Sequence, residues 1–134
     1  MVVVDTSVWV DLYRDRESAQ VEALKTLLRG ESTVALTDVV YMEVLQGALS
    51  DRDQQTLEAH LSKFPILRLL RLDDFKAAAD LYRTARAVGV TVRSSLDLLI
   101  AAACLRAEAQ LLHSDADFDR LASCTPLRIY EPAA

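Results

Sequence analysis

Four separated acidic residues stand where a folded chain resists charge. Asp5 directly follows Met1-Val2-Val3-Val4 and precedes Thr6-Ser7. Glu43 lies inside Val39-Val40-Tyr41-Met42-Glu43-Val44-Leu45. Asp97 heads Leu98-Leu99-Ile100-Ala101-Ala102-Ala103, and Asp115 comes just after Gln110-Leu111-Leu112-His113. A charge beside a buried element is costly unless something compensates it. Carboxylates that converge from distant segments suit a hard divalent cation, which takes oxygen ligands. With no nitrogen or thiolate in the set, Mg²⁺ or Mn²⁺ is favoured over zinc. Such an ion can activate a water for attack on phosphorus. A second, on the order of 4 Å away, can stabilise the leaving oxygen, so the expected reaction is hydrolysis of a phosphodiester. The hydroxyls of Thr6, Ser7 and Ser94 could orient a carboxylate or a water, or could cap helices.

Each acid also has a plain structural use. Asp5 could cap a helix beginning at Ser7, and Glu43 could be an exposed helix residue. Asp97 lies three positions after Ser94, as in a capping box. Asp115 and Asp117 could be turn and N-cap residues. Four such coincidences are less economical than one site. A calcium loop starting at Asp115, Asp117 and Asp119 fails, because Arg120 takes its glycine position and Pro126 its bidentate glutamate position. No GxGxxG, GxxxxGK[ST] or Gly-x-Ser-x-Gly motif occurs. His60 sits in a polar segment and is expected to be exposed; His113 ends a strand and reads as structural.

The elements that would position the acids alternate. Strands are expected at 2–4, 33–36, 66–70, 110–113 and 127–130, the last at a sheet edge because it alternates apolar and polar residues. Helices are expected at 7–13, 17–29 (stopped by Gly30), from the cap Asp38 to near Gly47, after Ser50, at 73–88 (ended by Gly89), 96–106 and 117–123. In the 73–88 helix, Phe75, Ala78, Ala79, Tyr82 and Ala85 are the expected inward face. The 96–106 helix is apolar nearly all round and should be the central buried one. The pattern implies right-handed crossovers and a mainly parallel five-stranded sheet, the core of a three-layer α/β/α sandwich. Ligands in such sheets bind beyond the carboxyl ends of the strands. Asp5 and Asp115 reach that rim directly, and Glu43 lies about one turn into the helix after the second strand. Asp97 joins them only if its helix packs across the sheet, since that helix runs against the strands.

The bulk properties set limits. With 134 residues, 51% of them hydrophobic, the chain is expected to form one domain over 1–134 with a real core. Its 3 Gly and 3 Pro leave little room for long loops. The longest apolar run, Leu98 to Leu105, is too short to span a bilayer. No signal peptide is expected, because the opening apolar run meets an acid at Asp5. Cys104 and Cys124 lack metal-type spacing and read as reduced thiols of a cytoplasmic protein. A net charge of -5 excludes a basic nucleic-acid coat protein. Positive charge is uneven, however: Arg68, Arg71, Lys76, Arg83, Arg86 and Arg93 outnumber Asp73, Asp74 and Asp80 in one stretch. That stretch is either a solvated face or a local path for a phosphate backbone.

Four segments resemble PIN-domain proteins: Val3-Val4-Asp5-Thr6-Ser7-Val8-Trp9-Val10, Met42-Glu43-Val44-Leu45-Gln46-Gly47, the run from Arg93 to Ala103, and His113-Ser114-Asp115-Ala116-Asp117-Phe118-Asp119. Their order and spacing are similar to the small bacterial VapC-type toxins, over essentially the whole chain. The resemblance implies a Rossmann-like fold and a Mg²⁺- or Mn²⁺-dependent endoribonuclease. It implies Asp5, Glu43, Asp97 and Asp115 as metal-binding and catalytic acids, Asp117 as a fifth acid, and Ser7 as the small hydroxyl after the first acid. It places Asp97 in the same site. Where many members carry Thr before the final acids, this chain has His113-Ser114. The family implies a structured RNA substrate, often a tRNA or ribosomal RNA, a cognate VapB-like antitoxin and a homodimer. Apolar surface within 7–28 and 38–61 is the expected contact region. A PIN-like RNA-processing nuclease is the nearest alternative. A phosphoacceptor receiver domain would need an acidic pair after strand one and a lysine after the last strand. Here a single Asp5 and Glu131-Pro132 stand there. A phosphatase with an Asp-x-Asp nucleophile fits poorly, because Ser7 occupies the second acidic position.

Overall fold

The computed structural model describes residues 1–69 and 71–133. Five strands form one sheet: β1 (Val2–Val4), β2 (Val34–Thr37), β3 (Ile66–Leu67), β4 (Gln110–Leu112) and β5 (Arg128–Ile129), in the order β3-β2-β1-β4-β5. All four pairings are parallel, with Val3 opposite Ala35 on one side and Leu111 on the other. Parallel strands cannot be joined by hairpins, so helices must fill every crossover. Those helices are α1 (Thr6–Tyr13), α2 (Ala19–Arg29), α3 (Asp38–Gln46), α4 (Asp51–Leu61), α5 (Leu72–Ala87), α6 (Ser95–Arg106) and α7 (Ala116–Ala122).

Successive strand residues face opposite sides of a sheet. Every residue of β1 and β2 is buried, so helices cover both faces at the centre of the sheet. The predicted layered architecture is therefore observed, with a sheet that is parallel throughout. The core joins Val3, Leu36 and Leu111 of the sheet to Trp9, Leu24, Leu61 and Ile100 of the helices, all fully buried. The Trp9 indole N–H donates to the Val4 carbonyl at 3.1 Å, so the largest core side chain leaves no orphaned donor. Helix α6 is buried from Ile100 through Cys104, as its all-round apolarity requires. Burial pushes the Cys104 thiol up to about 12, so it is an inert core residue.

Several local expectations change. β2 runs one residue later than predicted, and Thr37 rather than Asp38 caps α3: its Oγ1 accepts from the Val40 N–H at 3.0 Å. Asp38 instead accepts from the Val39 and Leu69 amides, tying α3 to the chain beyond β3. β3 and β5 are two residues each: the strand expected at 66–70 ends at Leu67, with Arg68 and Leu69 outside it, and Leu70 lies outside the described residues. Gly89 follows α5 with φ +82°, a conformation open to glycine without a side-chain clash. The inward face of α5 is Asp74, Ala78, Leu81 and Ala85; Phe75, Ala79 and Tyr82 are exposed. Asp74 can face inward because Arg106 of α6 reaches it at 3.2 Å. His60 is half-buried, not exposed. Its Nδ1 lies 2.5 Å from the Tyr13 hydroxyl, and its ring meets Trp9, Tyr13 and Phe64 edge-on. Burial, aided by Lys63, lowers its proton affinity.

Candidate functional site

The strand order reverses direction about β1, so a crevice opens where the chain leaves β1 and β4 at their carboxyl ends. Asp5 follows β1 there, and its N–H donates to the Leu112 carbonyl at 2.9 Å. Its extended backbone makes it the N-cap of α1, with Oδ2 accepting from the Ser7 N–H at 3.1 Å and the Ser7 hydroxyl at 2.6 Å. The capping role and a place in the acid cluster thus coexist in one carboxylate. The Ser7 hydroxyl also accepts from the Ser114 N–H at 3.1 Å, pinning the turn after β4 to the turn after β1. Thr6 points to the other neighbour, donating to Glu43 Oε1 at 2.8 Å from α1 to α3. The two small hydroxyls after Asp5 therefore each donate to one of the acids. Ser94 is the N-cap of α6 by backbone position, but its side chain makes no capping bond. A capping box with Asp97 is absent.

Asp97, in the first turn of α6, does reach the strand ends. One carboxylate oxygen from each of Asp97, Asp115 and Asp117 lies within 4.8 Å of the others. The doubt left by helix direction is resolved by packing: α6 lies against α3 and α5 and delivers its N-terminus to the crevice. Asp115 is the N-cap of α7 and accepts from the Asp117 N–H at 2.9 Å. The Asp115 N–H in turn donates to His113 Nδ1 at 2.9 Å. A backbone N–H can only donate, so Nδ1 is the acceptor and Nε2 carries the ring proton toward Asp119, 3.0 Å away. His113 is buried and braces the Asp115 turn.

The electrostatics follow from this crowding. Burial pushes Asp5 up from the usual carboxylate range, and the Ser7 hydrogen bonds partly offset it. Glu43 is raised by burial first; Thr6 opposes the shift and the Asp5 charge adds to it. Asp97 is raised to about 7 by burial and then by the charges of Asp5, Asp115, Glu43 and Asp117. The site is therefore short of positive charge, and its donors are all carboxylate oxygens, which fits a hard divalent cation. Two cations contribute at its margin: the Arg120 guanidinium bonds Asp117 Oδ1, and Arg93 Nε lies 3.8 Å from Asp117 Oδ2. The pairing with Arg120 went unnoticed in the sequence, although its i, i+3 spacing from Asp117 on one helix is a readable signal.

Comparison with known proteins agrees with the geometry. Residues 2–123 match the family model for the PIN domain. The chain is 43% identical over 129 residues to "VapC ribonuclease Mb1587" of Mycobacterium bovis, covering 96% of each chain. It is equally similar to "Ribonuclease VapC11" of Mycobacterium tuberculosis. The fold is similar to that of VapBC2 from Rickettsia felis, solved with a promoter DNA fragment, at a TM-score of 0.76 and 19% identity, covering 97% of this chain and 98% of that one. The ordered acid motifs, the all-parallel sheet that gathers them and this near full-length identity make the chain a member of the PIN-domain family, among the VapC ribonucleases.

Proposed function

We propose that the chain is a Mg²⁺- or Mn²⁺-dependent endoribonuclease that cuts a structured RNA, a tRNA or ribosomal RNA, and that a cognate VapB-like antitoxin holds it inactive. The observation that carries the metal dependence is the convergence of Asp97, Asp115 and Asp117, whose carboxylate oxygens lie within 4.8 Å of one another. Asp97 is raised to about 7 by burial first and then by the neighbouring acid charges, and a cation at this position would relieve both. Asp97, Asp115 and Asp117, whose carboxylate oxygens lie together, would hold the metal with Asp5 and Glu43. When bound, a hard divalent ion supplies a more acidic water and a charge for the oxygens of the phosphodiester.

The protein's own contribution is positional. Ser7 holds Asp5 through Oδ2, by its backbone N–H and its hydroxyl. Thr6 holds Glu43 through Oε1, by its hydroxyl. His113 fixes the turn that presents Asp115. These constraints reduce the reorganisation needed when ion and substrate arrive. Self-association belongs to the same proposal. Leu28, Met42 and Leu49 are exposed within the segments expected to make contacts, but a longer apolar strip lies on α5. There Phe75 and Tyr82 border a groove of about 390 Å³ floored by Ala78, Leu98 and Leu99, which suits a homodimer contact.

The test is cleavage of total cellular RNA with Mg²⁺, with Mn²⁺ and with EDTA, beside Asp5→Asn. Metal-dependent cuts should disappear in the variant while its fold persists, because Asn also caps a helix. Metal-independent cutting would exclude the proposed chemistry.

A further inference from the structure

Asp117 is the most heavily compensated acid of the cluster. Its side chain is 7% exposed, yet two guanidiniums meet it, one at each oxygen: Arg120 of α7 and Arg93 from the segment before α6. One negative charge is thus matched by two positive ones. Arg93 remains 82% exposed and Arg120 53% exposed. A guanidinium carries five N–H donors in a rigid fork. Arg93 touches Asp117 only through Nε at 3.8 Å, so most of its donors face solvent. Compensation of the buried Asp117 charge needs one close partner, which Arg120 supplies. The longer Arg93 contact leaves a second guanidinium largely open to solvent at the lip of the acid cluster, in a chain whose net charge is -5.

We infer that Arg93 and Arg120, anchored on Asp117, form a clamp for a backbone phosphate of the RNA beside the metal-binding acids, and that Arg93 supplies the larger share of the binding. The inference rests on the ribonuclease function proposed above. Asp117 lies within 4.8 Å of the donor oxygens of Asp97 and Asp115, so its guanidiniums border the place where a phosphodiester must sit to be cut. An acidic site repels RNA until its charge is offset, and a guanidinium fork matches phosphate oxygens in shape and charge. RNA offers phosphates on both sides of the bond that is cut, so a cation at the lip holds the strand without occupying the reacting position. Asp117 acts through the two arginines as a positioning residue.

The experiment measures binding of labelled tRNA and ribosomal RNA pools to Asp5→Asn protein, expected not to cut, in Mg²⁺ over a range of KCl concentrations. Arg93→Gln is added on that background, with Arg93→Lys as the conservative variant. Arg93→Gln should weaken binding about tenfold and flatten the dependence of log affinity on log salt by about 0.7–0.9, the range for one phosphate contact between single-stranded and duplex backbone. Arg93→Lys should recover the salt dependence, because a point charge still reaches phosphate, but only part of the affinity. Thermal midpoints should agree across the three proteins, since Arg93 is exposed. Unchanged affinity and salt dependence in Arg93→Gln would overturn the clamp and leave the nuclease intact. Loss of binding to the cognate antitoxin with RNA binding unchanged would overturn it too, and assign Arg93 to the protein partner. Failure of the Asp5→Asn parent to bind RNA at all would overturn both the clamp and the proposed function.

Discussion

At Asp97, burial and four neighbouring charges act in the same direction, and the sign of the consequence is fixed. A carboxylate whose folded pKa lies above its unfolded value of 3.8 holds its proton more tightly in the native state. The penalty for ionising it is absent below about pH 4, grows as pH rises toward 7, and is complete above that. Asp97 is partly open to water, so screening limits the penalty to about 1–2 kcal/mol. Asp97→Asn should therefore raise the thermal midpoint in EDTA at pH 8, and the gain should vanish near pH 4, while cleavage is lost at every pH. An equal midpoint for both proteins at pH 8 would show that the cluster is not repulsive. A proton also competes with the metal for Asp97. Mn²⁺ affinity measured by calorimetry should fall by about tenfold per pH unit below 7; a flat profile would remove Asp97 from the ligand set.

The turns between elements set the site's geometry. Thr37 is fully buried and caps α3, the helix that carries Glu43. Thr37→Ala should cost about 1–2 kcal/mol in a urea titration and also slow cleavage, because α3 no longer starts from a fixed point. Thr37→Ser should restore both. Loss of stability with full activity would mean that Glu43 tolerates movement of its helix. Helix α5 shows where element-level inference from the sequence fails. Phe75, Ala79 and Tyr82 form an apolar stripe at helical spacing, yet the covered stripe is Asp74, Ala78, Leu81 and Ala85. A helix with two apolar sides does not encode which one meets the core. The choice is made by α6, whose Arg106 accommodates the Asp74 charge.

At the scale of the whole molecule, the exposed α5 stripe is the self-association surface proposed above. Phe75→Asp should leave the monomer fold intact, because Phe75 is half exposed, and should abolish a homodimer formed through α5. Sedimentation velocity over a concentration series decides the matter: a variant that still dimerises places the contact elsewhere. Among the described residues, no helix is long and apolar enough to cross a membrane. Metal binding acts at the same scale. A cation that binds only the folded acid cluster should raise the thermal midpoint with its concentration, by about 2.7 kcal/mol of stability at a hundred times its dissociation constant. A midpoint that ignores Mn²⁺ would contradict a resident metal site.

The acids were legible in the chain because each interrupts or abuts an apolar run, where a charge is too costly to be incidental. The alternating elements were legible because strands of period two and helices of period 3.6 leave different patterns in the same alphabet. Neither kind of signal carries information about pairs distant in sequence. That Asp97 reaches Asp115 depends on how α6 crosses the sheet. That Ser7 bridges Asp5 to the Ser114 turn depends on β1 and β4 lying side by side. That Arg93 joins Arg120 on Asp117 depends on a loop and a helix meeting at the crevice. The sequence by itself determined which residues could do chemistry and in what kind of layered fold. Only the tertiary structure decided which of them meet, because spatial proximity is set by packing the whole core at once.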